Sequence, residues 1–116
     1  MQRKFRLARS TDFKRVRRTG KSYAHPLVVL VAQASEAPKV RVGVTAGRSV
    51  GGAVQRNKAK RLLREAMRPL LPDLPPGWDL ILIARPALIP TSLQEIRRVL
   101  ISLLRRAQII SLANES

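Results

Sequence analysis

Apolar positions along this chain recur in two rhythms, and the changes between them mark out its elements. From Ser10 to about Thr19 the spacing is helical: Phe13 and Val16 lie three apart on one face, while Lys14, Arg15, Arg17 and Arg18 spread around the rest. Ser10 or Thr11 can cap this helix, and Gly20 stands where it should stop. Lys21 to Ala24 can extend as a short strand until His25-Pro26 interrupts it. Leu27 to Ala34 is a β-branched apolar run that reads as a strand. Beyond a turn at residues 35–39, Val40-Arg41-Val42-Gly43-Val44-Thr45 alternates strictly, so the valines face a core and Arg41, Gly43 and Thr45 face away. Two such runs across a short turn predict an antiparallel hairpin.

The second half repeats the alternation of types. A glycine-containing loop, 46–52, opens a helix from Ala53 to about Leu70, which Pro72, Pro75, Pro76 and Gly77 terminate. Trp78 to Arg85 is a third apolar strand, stopped by Pro86. Ser92 and Glu95 stand at capping-box spacing before a last helix. Its Ile96, Val99, Leu100, Leu103, Leu104 and Ala107 form one stripe, with Arg97, Arg98, Arg105 and Arg106 elsewhere. The order αβββαβα predicts an α+β fold: one central, mostly antiparallel sheet of three to four strands with three helices. A single domain spans residues 1–116. Residues 1–9 are expected to form a basic arm that Phe5 and Leu7 can anchor, and residues 109–116 a frayed tail.

Charge changes the picture most. Lys and Arg number 23 against 7 Asp and Glu, a formal net charge of +16. Such an excess repels itself in a compact fold and calls for an external polyanion. Seventeen of these cations are arginine, whose planar fork suits phosphates and whose face stacks on bases. There is no cysteine, hence no disulfide framework or thiolate metal site. The apolar runs are of strand length and no apolar segment follows the basic start, so a cytoplasmic protein with no membrane contact is expected.

The cations are most ordered between Gly51 and Arg68. On a helical wheel Ala59, Leu62, Leu63, Ala66, Met67 and Leu70 gather on one side. Arg56, Lys60, Arg64 and Arg68, each four apart, form a ridge beside them, with Asn57 and Arg61 on the adjoining row and Glu65 the one acid. Like charges at that spacing destabilise an isolated helix by a few tenths of a kcal/mol per pair. A ridge that repels itself and has no core duty implies an anion across from it.

Catalysis by the protein's own side chains is not expected. Phosphodiester hydrolysis would want clustered carboxylates around metals, or paired histidines. Here His25 is the one histidine, and Asp12, Glu36, Glu65, Asp73, Asp79, Glu95 and Glu115 are scattered through different elements. Gly51-Gly52 lacks the lysine of a phosphate-cradling loop and reads as a helix entry. Four aromatics are too few for base stacking across a sheet, and Tyr23 and Trp78 read as packing residues. A reader of duplex DNA would need a turn between two helices and a dimer surface, and neither is visible. A structural ribosomal-type RNA-binding protein with no processing role stays open on these grounds.

Val54-Gln55-Arg56-Asn57-Lys58-Ala59-Lys60-Arg61-Leu62-Leu63-Arg64-Glu65 resembles the Arg-Asn-Arg helix of the bacterial ribonuclease P protein family. Arg6-Leu7, Asp12-Phe13 with Val16 and Gly20, Val42-Gly43-Val44, and Ile81 to Arg85-Pro86 fit the same family in order, so the similarity runs from about Arg3 to Arg106. The resemblance implies a left-handed parallel βαβ crossover around the motif helix. It also implies a non-catalytic subunit of an endoribonuclease whose catalyst is an RNA, removing the 5′ leader from precursor tRNA. The implied partners are that catalytic RNA and the leader, with the protein alone monomeric. Mg²⁺ would be bound by the RNA partner and substrate, none by the protein alone, and the protein would lower the requirement for it. Carried over, Arg48, Arg56, Asn57, Lys58, Lys60, Arg61, Arg64 and Arg68 would face the catalytic RNA, and Phe13, Arg17, Arg9 and Arg85 the leader. The chain departs from the pattern at Lys58, usually arginine; at Arg17 and Val31, often aromatic; and at Gly47, often basic.

Overall fold

The strand that organises the fold is the most apolar one. In the computed structural model, which describes residues 3–110, the helices are α1 (Ser10–Thr19), α2 (Ala53–Met67) and α3 (Leu93–Arg106), and the strands β1 (Lys21–Ala24), β2 (Val28–Ala34), β3 (Arg41–Ala46) and β4 (Trp78–Ala84). They form one four-stranded sheet of order β1-β2-β4-β3. β4 is buried on both faces: Leu80 and Leu82 point to one side and Ile81 to the other, all at 1% exposure or less. Such a strand belongs at the centre of a sheet, and there it displaces the expected β2–β3 hairpin. β2 pairs antiparallel with β4, and β3 pairs parallel with β4 through the α2 crossover. The chain after β2 therefore passes the end of β4, tied there by Ser35 N–H donating to Gly77 O at 2.8 Å.

Each face of the sheet carries a core. The larger packs Leu30, Val42, Leu80 and Leu82 against Leu63 and Met67 of α2 and against Ile96, Leu100, Leu103 and Leu104 of α3. Tyr23 and Trp78 border it, as packing residues should. The smaller joins Val31 and Ile81 to Val16 of α1 and to Leu7. Leu7 is 2% exposed, its N–H donates to Val42 O at 3.0 Å, and Arg6 bridges Val42 in parallel. The described part of the expected arm is therefore docked along β3, where it covers a sheet edge that would otherwise stand open. At the other end Gln108 takes a positive φ of 61° and Ile109 N–H donates to Leu104 O at 3.0 Å. This turn buries Ile109 in the main core, where a frayed tail was expected from 109; the rest of that expectation, residues 111–116, lies outside the described residues.

Two local details differ from the sequence reading. Arg9, without a side-chain bond, caps α1 in place of Ser10 or Thr11. α2 stops at Met67, because Pro69 lacks the N–H an α-helix needs; residues 68–73 tighten into a 3-10 turn. Gly20 does end α1, yet through space and not through backbone freedom. Its φ is an ordinary −77°, but a Cβ there would lie 2.6 Å from Val16 O, 2.9 Å from Val31 Cγ1 and 3.0 Å from Ala32 O. Glycine lets the helix end touch β2. Gly20→Ala should cost about 1–3 kcal/mol of overpacking, read as a lower midpoint in urea with an unchanged slope.

Candidate nucleic-acid interface

The backbone before α2 decides where its cations begin. Gly51 sits at φ 140°, a conformation only glycine adopts without strain, and Gly52 caps the helix with no side-chain bond. No acid occupies the first turn to satisfy the free N–H groups there, and Arg56 N–H makes a helical bond to Gly52 O at 2.9 Å. Ala59, Leu63, Ala66 and Met67 are fully buried on the inner side. Outward, Asn57, Lys58 and Arg61 are exposed; Arg56, Lys60 and Arg64 lie half-buried on the flanks, their stems laid along the protein. Arg56 Nε is out of solvent with no hydrogen-bond partner among the described residues. Arg48, on the loop before the helix, is exposed, and the space around Gly47 is open.

The ridge is shorter than the wheel suggested. Arg68 falls past the end of α2 and pairs with Glu65 at 2.8 Å. That contact also uses the one acid on this surface. Among the described residues, none of Arg48, Arg56, Lys58, Lys60, Arg61 and Arg64 has a carboxylate partner.

On the opposite sheet face, α1 covers two cross-strand rows and leaves a third open. Gln33, Asp79 and Arg41 are in register across β2, β4 and β3, as are Val31, Ile81 and Gly43. Arg15 and Val16 of α1 sit on these rows. The next row, Ala24, Val29, Ile83 and Thr45, remains half-buried or exposed. Phe13 stands at the border. A Cβ on Gly43 would come within 2.3 Å of its Cζ and 2.9 Å of both Cε atoms, so the far end of the ring packs on that glycine, and the side chain as a whole is half-buried with Val29 and Ile83 against the smaller core. Arg17 follows Phe13 by four residues on the same flank of α1, and Arg9 is exposed at the helix start. Arg85 is exposed two residues past Ile83, just beyond the end of β4. Phe13 thus borders the open row, and Arg9, Arg17 and Arg85 are exposed on the elements around it.

A sequence model described as Ribonuclease P matches residues 1–108. Among curated relatives, the ribonuclease P protein component of Herpetosiphon aurantiacus is 40% identical over 94% of this chain and 89% of its own. That of Dehalococcoides mccartyi strain 195 is 41% identical over 99% and 94%. This chain belongs to the ribonuclease P protein family. Solved structures agree. The Staphylococcus aureus RNase P protein superposes with a TM-score of 0.79 at 27% identity, covering 92% of this chain and 98% of that one. The Thermotoga maritima RNase P protein gives 0.76 at 30% identity, covering 87% and 96%. As a member of the family, the chain serves as the protein subunit of ribonuclease P in tRNA 5′ processing. A ribosomal-type role is set aside.

Within this ribonuclease P protein, the residues missed in the sequence are those that fix α1. The acids are not all scattered. Asp79, 0% exposed, receives Arg41 Nε at 2.9 Å and Arg41 Nη2 at 2.8 Å, and Arg15 Nη2 at 2.7 Å. Arg15 also reaches Asp12 at 3.2 Å and bonds Gln33, which in turn donates to Thr19. Burial pushes the Asp79 carboxyl up, but the bonds from Arg41 and Arg15 outweigh it and hold it below the ordinary carboxylate value. Both acids are thus paired with arginines, and no cluster of three or more His, Cys, Asp or Glu exists among the described residues. His25 is equally engaged, its Nδ1 accepting from Leu27 N–H at 3.1 Å within the bend. Among the described residues, no helix is long and apolar enough to cross a membrane.

The lowered Asp79 value fixes a sign. Its contribution to stability is complete above the unfolded carboxylate pKa of about 3.9 and is lost as pH falls through the lower folded value. Asp79→Asn should destabilise by about 3 kcal/mol at neutral pH, the low end for a broken buried pair because both arginines can reach water. In urea titrations at falling pH the gap between wild type and variant should close only below pH about 4.

Proposed function

We propose that this subunit uses the two sheet faces for two RNAs: the outer side of α2 binds the catalytic RNA, and the cleft beside α1 takes the single-stranded leader of precursor tRNA. The observation that carries the first half is the row Arg56, Lys58, Lys60, Arg61 and Arg64 on one helix, with Arg48 on the loop before it and no carboxylate to neutralise them among the described residues. Successive helical turns rise about 5.4 Å, so these cations address several phosphates in turn. Asn57, exposed among them, adds a neutral hydrogen-bonding group, and Arg68 contributes less because Glu65 holds it.

The second half rests on the open row. Its floor of Val29, Ile83 and Thr45, with the Phe13 ring at one side, offers a groove for unstacked bases, and Arg9, Arg17 and Arg85 offer charges for the backbone. Arg17 supplies a planar cation where an aromatic ring would be more usual in the family. The catalytic Mg²⁺ ions belong to the RNA partner and substrate. Asp12, Asp79, Glu65 and Glu95 are held by arginines, and the chain's part is to lower the local density of phosphate charge so that less metal suffices. The protein alone is a monomer.

Two measurements test the two halves. Arg61→Ala should flatten the log–log salt dependence of binding to the catalytic RNA by about 0.7–0.9 and raise the Mg²⁺ needed for leader removal by the reconstituted enzyme. An unchanged slope would mean that α2 faces solvent. Phe13→Ala should weaken binding of leader-bearing precursor several-fold more than binding of mature tRNA. Equal losses would make Phe13 a packing residue only.

A further inference from the structure

Between the two surfaces lies a cavity of about 200 Å³ that takes Phe13 from one, Arg64 from the other and Arg6 from neither. Arg6 enters it from the segment docked on β3, Arg64 from α2, and Phe13 from α1, over a floor of Gly43 and Val44. Two guanidinium-bearing side chains from separate elements therefore share one concave site. No carboxylate lines it, and neither arginine has an ion-pair partner among the described residues. The backbone at Arg6 is not free to drift away, being bridged to Val42 and followed by the buried Leu7. Like charges held together in a pocket raise the energy of the empty site and lower that of one holding an anion. Arginine forks match the oxygens of a phosphodiester, and an aromatic ring alongside matches the nucleoside next to it.

We propose that Arg6 and Arg64 clamp one phosphodiester of the precursor strand where it leaves the cleft beside α1 for the catalytic RNA on α2. The assignment rests on the leader reading above, since a strand lying over Val29, Ile83 and Thr45 passes Phe13 and meets this cavity before reaching α2. Arg6 becomes a substrate contact that the motif helix does not contain, and Arg64 serves at the junction of the two surfaces.

The test uses the enzyme reconstituted from the full chain and its catalytic RNA, with precursors carrying a short leader in which single linkages are replaced in turn by neutral methylphosphonates. With wild type, one linkage should weaken binding about tenfold when neutralised, the worth of one charge-assisted contact. Arg6→Ala should weaken precursor binding by about the same factor, and that linkage should then become insensitive, while binding of mature tRNA and of the catalytic RNA stays unchanged. Arg6→Lys, keeping charge without the fork, should fall between, and matching thermal melts show that all variants fold. If Arg6→Ala loses as much on mature tRNA, or weakens only the catalytic RNA, or adds independently to every linkage, the clamp is overturned. A wild-type enzyme that fails to distinguish precursor from mature tRNA would instead overturn the leader reading beneath it.

Discussion

A carboxylate buried in the middle of a sheet decides how the rest of this protein is laid out. Asp79 sits on the central strand with no exposure, and leaving its charge unpaired there would cost several kcal/mol. The two arginines that satisfy it come from opposite directions: Arg41 from the neighbouring strand, in register, and Arg15 from the helix above. One acid therefore fastens β3 and α1 to β4 together. It fixes α1 over one end of the sheet face, and the accessible row at the other end follows from where the helix is fastened. Apolar packing of Val16 on Val31 and Ile81 supplies adhesion, but it is non-directional. The fork geometry of Arg15 and Arg41 supplies direction.

The same accounting explains the distribution of charge. The protein has few acids, and those with ion-pair partners among the described residues are Asp12, Asp79, Glu65 and Glu95, each held by an arginine near it in sequence or through the Asp79 cluster. Other arginines serve the fold through carbonyls: Arg97 donates to Ala66 O and Glu65 O in the last turn of α2, and Arg106 to Ala24 O. Cations near a helix C-terminus or an open carbonyl are stabilised locally. Those on the outer side of α2 have no such relief among the described residues. The fold thus sorts a uniformly basic composition into cations that hold the protein and cations that await a polyanion.

How far this was legible varies from element to element for identifiable reasons. α3 could be read almost to the residue because Ser92 truly caps it, its Oγ accepting from Glu95 N–H at 3.1 Å, and its stripe is unbroken. The buried side of α2 was equally plain, since Ala59, Leu63, Ala66 and Met67 keep the helical period. Strand pairing was not, because adjacency in sequence favoured β2 with β3 while burial on both faces placed β4 between them. That error hid the Asp79 cluster, since Arg41 and Asp79 become neighbours only in the parallel register. A signal was present all the same: Asp79 is the lone charge in the apolar run from Trp78 to Ala84, and such a residue must have a partner. The docking of Leu7 was half-visible as an anchor, but nothing local could say that it would cover the edge of β3.

The placement of the two surfaces has a mechanical consequence. α2 is both the crossover joining β3 to β4 and the carrier of the motif cations, while the cleft is floored by those same strands on the other face. Whatever orients β3 and β4 orients both surfaces at once. This protein's one sheet cannot move one of these surfaces without the other, so under the proposed assignment the spacing between leader and catalytic RNA is set by the thickness of a single packed layer. Close-packed interiors transmit such geometry with little give. The subunit can therefore act as a rigid gauge between two flexible polyanions, and the edge of β3, where Arg6, Phe13 and Arg64 converge, is where that gauge is shortest.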